Sequence, residues 1–176
     1  MAYHSIVCVK QVPDTANITS EAMRDDGTVN RGALPTIFNP EDLNALETAL
    51  QIRDQYGGTV TALTMGPPKA ADVLRACLFR GADRAIMLTD RRAAASDTLA
   101  TSYILARAIN KIAETYGKYD FVFCGRQAID GDTAQVGPQC AEKLGIPQIT
   151  YLEELVRLTD DTVVVRRNVG NGWEIV

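Results

Sequence analysis

The chain has 176 residues, a formal net charge of −4, 46% apolar residues and 23% charged residues. This is the composition of an ordinary globular domain large enough for a real core, and its acidic balance argues against a nucleic-acid surface. No apolar run is long enough to span a membrane, and a strand-like run starts almost at once, so the expectation is a cytoplasmic protein with no secretory leader.

Ser5–Val12 reads as a first strand, apolar without interruption up to Lys10 and therefore buried on both faces. Residues 18–34 read as an excursion, a small hairpin turning at Asp26-Gly27. Asn39-Pro40-Glu41-Asp42 opens a helix, with Asn39 as N-cap, Pro40 in the first position and the acids at the positive end. Gly57-Gly58 closes it, and Thr59–Met65 is a second strand. After Gly66-Pro67-Pro68 comes a short helix to Phe79, then a third strand, Arg84–Thr89. Ser96 or Asp97 caps a long helix that ends at Gly117. Phe121–Cys124 is a fourth strand, and a further helix follows and stops at Gly145-Ile146-Pro147. Ile149–Leu152 reads as a fifth strand, followed by β-like runs at 155–158 and 162–167 and a turn at Gly170-Asn171-Gly172.

Strands alternating with helices call for an open, mostly parallel, twisted α/β sheet of the Rossmann-like kind, with helices on both faces and a β-hairpin near the C-terminus. The expectation is one nucleotide-binding α/β domain over 1–176, truncated inside its last hairpin.

The most informative stretch is the turn from Gly125 to Pro138, between the fourth strand and the last helix. In an open parallel sheet, ligands bind at such carboxyl-end turns. Proline belongs in a first helical turn, so Pro138 leaves the N–H groups of Ala134, Gln135, Val136 and Gly137 unpaired and able to bind an anion. Asp130 and Asp132 stand against this: either they point away, one of them capping the helix, or the turn holds no phosphate. From the residues alone, a phosphate site and a plain turn remain equally open. Lys10 ends a buried strand on the same rim and is read as a site residue rather than a snorkelling side chain. His4 reads as a surface residue, Trp173 as sheet packing, and Asp90-Arg91-Arg92 as a solvated loop. The 4 cysteines lie in apolar segments without C-x-x-C spacing and read as reduced core residues, not metal ligands. No catalytic side chain is singled out.

Val7-Cys8-Val9-Lys10-Gln11-Val12-Pro13, Asn39-Pro40, Met65-Gly66-Pro67, Gly81-Ala82-Asp83-Arg84 and the Gly125–Gly137 turn, in this order and spacing, resemble the β subunit of electron transfer flavoprotein. Gln127-Ala128-Ile129-Asp130 is the most specific part. The resemblance implies an adenine-nucleotide-binding fold and an electron carrier subunit rather than a stand-alone enzyme. Its partners would be an α subunit in a heterodimer, an acyl-CoA dehydrogenase-type protein and, in one group, NADH.

It also implies site residues. Cys8 and Asn39 would lie near the adenosine and Met65 beside it. Gly125, Gln127, Ala128, Asp130, Gly131, Thr133, Ala134, Gln135, Val136 and Gly137 would surround the phosphates. Some members hold AMP in this pocket, whereas electron-bifurcating members hold FAD. Gly131 and Ala134 stand where AMP-type members tend to carry larger polar residues, and Asp97-Thr98 with Thr101 resembles the bifurcating group. Thr98 and Thr101, on one helical face, would then hydrogen-bond the flavin ring or ribityl chain. FAD is therefore favoured over AMP. A stress-type adenine-nucleotide module is the competing class, but this turn lacks that class's G-x-x-G pattern.

Overall fold

A computed structural model describes residues 2–14, 16, 17, 22 and 34–176. Its elements are β1 (Tyr3–Cys8), β2 (Gln11–Pro13), β3 (Thr36–Phe38), α1 (Pro40–Tyr56), β4 (Gly58–Met65), α2 (Ala71–Phe79), β5 (Arg84–Leu88), α3 (Thr98–Tyr116), β6 (Phe121–Cys124), α4 (Val136–Leu144), β7 (Leu152–Leu158), β8 (Val163–Asn168) and β9 (Trp173–Ile175). Two 3-10 turns, Pro68–Ala70 and Arg91–Ala93, precede α2 and α3.

Four strands form a parallel sheet in the order β5-β4-β1-β6. All six residues of β1 are buried, as a central parallel strand requires. Its side chains alternate: Val7 packs with Leu46, Leu50, Val73 and Leu74 of α1 and α2. Ile6 and Cys8 face the other way, onto Leu105 and Ile109 of α3 and Cys140 of α4. This alternation places helices on both faces. In chain order the sheet runs third, second, first, fourth, so its direction of growth reverses between β1 and β6. A crevice forms outside the carboxyl ends of strands at such a reversal.

The first strand is shorter than the sequence indicates. It leaves the sheet after Val9, where the Lys10 N–H is taken by Asp42 Oδ2 at 2.8 Å and the Lys10 carbonyl accepts from the Asn39 N–H at 3.0 Å. Gln11–Pro13 then pairs antiparallel with Thr36–Phe38 and closes the base of the excursion. The turn expected at Asp26-Gly27 lies outside the described residues.

Ile149–Leu152 is not a fifth parallel strand. Residues before Leu152 connect α4 to a separate antiparallel sheet of order β7-β8-β9. Leu155, Leu158 and Val163 of that sheet pack on Tyr3, Ile52 and Phe121. Trp173 is exposed, with the Arg166 guanidinium 5.9 Å from its ring centre, so it packs into no core. His4 is buried, not superficial: its ring lies 3.0 Å from Thr61 Oγ1 and 3.2 Å from the Lys118 carbonyl. These two partners satisfy both ring nitrogens and allow the ring under the sheet. Among the described residues, no helix is long and apolar enough to cross a membrane.

Candidate functional site

The crevice at the reversal point is a cleft of about 750 Å3. Its floor is the carboxyl ends of β1, β4, β5 and β6, and its walls are the turn after β6, the start of α3 and the loop between β5 and α3. Fifteen of the residues proposed from the sequence line it: Cys8, Lys10, Met65, Thr98, Thr101, Gly125, Gln127, Ala128, Asp130, Gly131, Thr133, Ala134, Gln135, Val136 and Gly137. Asn39 does not line the cleft; it is buried behind the turn.

The turn is shaped to present backbone donors. α4 begins at Val136, which puts Pro138 in its first turn. Among the described residues, the N–H groups of Ala134, Gln135, Val136 and Gly137 meet no acceptor. Ala134 is left-handed, with φ 53°, and Gln135 is right-handed, with φ −101° and ψ −27°. Successive residues of opposite hand turn their N–H groups to one side and make an anion-binding concavity. A left-handed alanine costs about 1–2 kcal/mol and persists where its surroundings hold it, commonly at binding sites. Asp132 is left-handed as well, with φ 50°.

The acids of the turn do not cap the helix, and Gln135 at the N-cap position makes no side-chain cap. Asp130 is paired with Lys10, Nζ to Oδ1 at 2.7 Å and to Oδ2 at 3.0 Å. Asp132 accepts from Gln127 Nε2 at 2.8 Å. Lys10 thus neutralises one of the two carboxylates that stood against a phosphate, while Asp132 is bonded to a neutral amide. Arg126 pairs with Glu41 at 3.0 Å, so its charge answers α1 rather than the turn.

The start of α1 holds the turn in place. Asn39 occupies the N-cap position without capping. Its Nδ2 donates to the Gln127 carbonyl at 2.9 Å, and its Oδ1 accepts from the Ile129 N–H at 3.2 Å. A buried amide that bonds two backbone groups of another segment is a clamp. Asp42, also buried, accepts from the backbone N–H of Lys10 at 2.8 Å and lies against Gly125. Burial pushes its carboxyl up to about 7, while Asn39, Lys10 and Gly125 pull it down. A Cβ on Gly125 would overlap Asp42 Oδ1 and come within 2.7 Å of the Glu41 carbonyl carbon, so only glycine lets β6 meet α1 this closely.

On the opposite wall, Asp97 caps α3 by accepting from the Ala100 N–H at 2.8 Å. The Thr98 hydroxyl donates to Gln135 Oε1 at 2.9 Å, and Gln139 Nε2 reaches it at 3.4 Å. Thr101 has no side-chain partner among the described residues and lines the cleft. Cys8 is paired across the strands with Cys124. Contact with Cys124 and burial hold the Cys8 thiol well above its ordinary range, and burial lifts Cys77 and Cys140 to about 12. All 4 cysteines are free; Cys8 and Cys124 line the cleft floor, whereas Cys77 and Cys140 lie in the core outside it.

A family model described as the electron transfer flavoprotein domain matches residues 26–176. The chain belongs to the electron transfer flavoprotein family. It is 53% identical over 175 residues to Protein FixA of Azorhizobium caulinodans, covering 98% of this chain and 62% of that protein. It is 52% identical over 171 residues to the electron transfer flavoprotein subunit beta of Clostridium acetobutylicum, covering 97% and 63%. A third relative, the acryloyl-CoA reductase electron transfer subunit gamma of Anaerotignum propionicum, is 49% identical over 170 residues, covering 97% and 62%. The chain therefore spans about three fifths of the length of the curated relatives it matches.

Several residues of this flavoprotein cleft were not picked out from the sequence. Asp42 read as a helix-end acid, yet it ties two strand ends together. Asp90-Arg91-Arg92 read as a solvated loop, yet Asp90 and Arg91, with Ala93 to Ser96 after them, form a wall. Asp90 accepts from Arg92, whose guanidinium holds its carboxyl down to about 2. Its position directly after a strand end was the signal available, since every carboxyl-end loop of such a sheet borders the crevice.

Proposed function

We propose that the chain is the nucleotide-holding part of an electron transfer flavoprotein β subunit, that its cleft binds FAD, and that it works in a heterodimer with an α subunit. The carrying observation is the row of four N–H groups, Ala134 to Gly137, that meet no acceptor among the described residues and line a cleft that Thr101, Cys8, Met65 and Leu88 also line. The row suits a phosphate. The further extent, with its apolar floor at Cys8, Met65 and Leu88, suits a flavin more than a mononucleotide that ends there.

Each residue has a defined part. The N–H groups of Ala134–Gly137 hold phosphate oxygens. Lys10 keeps the Asp130 charge from repelling them, and Asn39 and Asp42 fix the frame. Thr101 offers a hydroxyl to the ring or ribityl end, and the apolar floor excludes water. An FAD held there by the Ala134–Gly137 N–H groups and Thr101 would supply the redox chemistry, the capacity to accept a hydride from a nicotinamide and to release electrons singly. No protein nucleophile takes part. A relative named as the electron transfer subunit of an acryloyl-CoA reductase supports an acyl-CoA dehydrogenase-type partner.

One observation favours AMP instead. The Thr98 hydroxyl is already engaged by Gln135 and Gln139, leaving fewer free donors at the flavin end. The heterodimer's nucleotide content, measured after acid extraction, separates the readings. Two FAD per heterodimer and no AMP is the expected result; one FAD with one AMP replaces the flavin reading by the mononucleotide one.

A further inference from the structure

Five aspartates but only three basic residues, Lys10, Arg91 and Arg126, line the proposed phosphate cleft. Four of the five acids are answered. Asp130 is paired with Lys10, Asp132 accepts from Gln127, Asp97 caps α3, and Asp90 is paired with Arg92. Asp42 is the fifth. It is buried, yet it makes no salt bridge among the described residues. The nearby cations are committed elsewhere, Lys10 to Asp130 and Arg126 to Glu41, and Arg91 is exposed on the loop after β5.

The neighbours that Asp42 does have are neutral. Its Oδ2 accepts from the Lys10 N–H at 2.8 Å, and its other oxygen lies against Gly125. The Cys8 thiol of β1 is held well above its ordinary range and the Cys77 thiol of α2 is pushed up to about 12, so neither is charged near neutral pH. Arg80, at the end of α2, stands over the Phe38 ring. A buried carboxylate without a cation is costly to keep charged, and taking a proton relieves the cost. Burial pushes this carboxyl up to about 7, so near neutral pH a modest change of field in the cleft moves its proton. A phosphate on the donor row is such a change, because it brings negative charge into a cleft that Asp42 itself lines.

We propose that Asp42 takes up a proton as a nucleotide's phosphates enter the cleft, so that anion binding and neutralisation of the carboxyl are one coupled event; this rests on the reading of the cleft as a nucleotide site. Asp42 is then a positioning residue with two charge states. Its oxygen accepts the Lys10 N–H in either state, so the end of β1 stays in place while the charge is removed. By linkage, affinity is constant where the free protein already holds the proton, and it falls as pH rises above about 7.

Calorimetric titration of the apo-heterodimer with FAD tests this. A phosphate monoester titrates at about pH 6, and the pyrophosphate of FAD has no such group to confuse the count. In buffers of different ionisation enthalpy at about pH 7.5, binding is expected to take up roughly 0.3–0.5 of a proton, and affinity to fall about three- to sixfold between about pH 6.5 and 8.5. Asp42→Asn keeps an acceptor oxygen and has no proton to take up. It is expected to bind without uptake, with affinity flat in pH and above the parent's at about pH 8.5. A merely structural Asp42 would make the variant bind more weakly at every pH, and that result overturns the proposal. So does uptake that is unchanged in the variant, or parent binding without uptake. The parent alone gives a second readout. With isotope-labelled aspartate, its infrared difference spectrum on adding FAD at about pH 7.5 is expected to gain a protonated-carboxyl band, and binding without that band overturns the proposal even where the variant fails to fold. If the heterodimer takes AMP and not FAD, the flavin reading fails and the parent-minus-variant uptake is read with AMP instead. If it takes neither, the cleft is no nucleotide site and the coupling falls with it.

Discussion

The two hollows on either side of the β6 end, the rim cleft and a side trough, differ little in volume, about 750 and 600 Å3, and both are lined mostly by apolar atoms, but they differ in the backbone groups they leave open. The rim cleft presents backbone N–H groups that meet no acceptor among the described residues, beside an Asp130 paired with Lys10 and an Asp132 bonded to the neutral Gln127 amide. The side trough carries polar residues such as Glu41, Thr48 and Gln148 among its apolar ones and runs along the β6 edge that pairs with no strand among the described residues. Size does not decide what a hollow takes. The groups left unsatisfied at its surface decide it: spare donors with a left-handed backbone ask for an anion.

The sharpest way to break this distinction is at Gly125, which borders both hollows. Gly125→Ala drives a methyl group onto Asp42 Oδ1 and against the Glu41 carbonyl carbon and Asp42 nitrogen, and that backbone cannot give way. The expected loss of stability is about 3 kcal/mol or more, with loss of bound nucleotide. Gly131 is the control. A Cβ added there would meet nothing within 4 Å, and the residue opens onto the rim cleft alone. Gly131→Ala is expected to leave stability within about 0.5 kcal/mol. Thermal unfolding of the two variants side by side reads the contrast.

A pH titration sharpens it next, through Asp42. Burial lifts this carboxyl to about 7, against roughly 3.9 for an aspartate in an unfolded chain. Between those values the folded state keeps a proton that the unfolded state has released. The resulting stability is fully present below about pH 4 and is lost as pH rises to about 7. Its size is on the order of a few kcal/mol. Asp42→Asn is expected to flatten the fall in denaturation midpoint over that range, because an amide has no proton to lose there. A slope equal to the parent's would place the titration elsewhere.

Much of this was legible in the sequence, for identifiable reasons. β1 and β4 read as strands because short β-branched, largely apolar runs bounded by turn residues suit buried strands, although the first was carried too far, past Cys8. Pro138 placed the start of α4, and with it the donor row, because proline lacks the N–H that a helix interior needs. Ile149–Leu152 failed because short apolar runs carry no information on which strand they pair with, and the connection out of α4 took them elsewhere. His4 failed because its two partners, Thr61 and Lys118, are far off in the chain. Asn39 was placed in the right position but given the wrong task. Its type suits a cap, and only the fold shows that its amide bonds Gln127 and Ile129 instead.

That task gives the next prediction. Asn39→Ala removes both bonds and leaves the Gln127 carbonyl and the Ile129 N–H without partners, at an expected cost of about 2 kcal/mol. If Asn39 works as a clamp on the turn, nucleotide affinity falls while the far trough keeps its packing. Titration of the apo-heterodimer with AMP or FAD checks the first, and hydrogen exchange of α4 the second. A variant that loses stability but binds as the parent does would make Asn39 structural only.

The smallest effect is expected at Ala134, and it runs in two directions. The left-handed backbone there, φ 53°, disfavours any residue with a Cβ. Ala134→Gly relieves this strain and is expected to raise stability by up to about 1 kcal/mol, less the extra freedom that glycine brings to the unfolded chain. The same freedom loosens the opposite-handed pair that aims the N–H groups of Ala134 and Gln135 into the cleft. Nucleotide affinity is therefore expected to fall a few-fold even as the melting temperature rises. A rise in both would mean that the strained alanine contributes nothing to holding the anion. A fall in affinity with a rise in stability would show that the turn is held in an unfavourable conformation because binding needs it there.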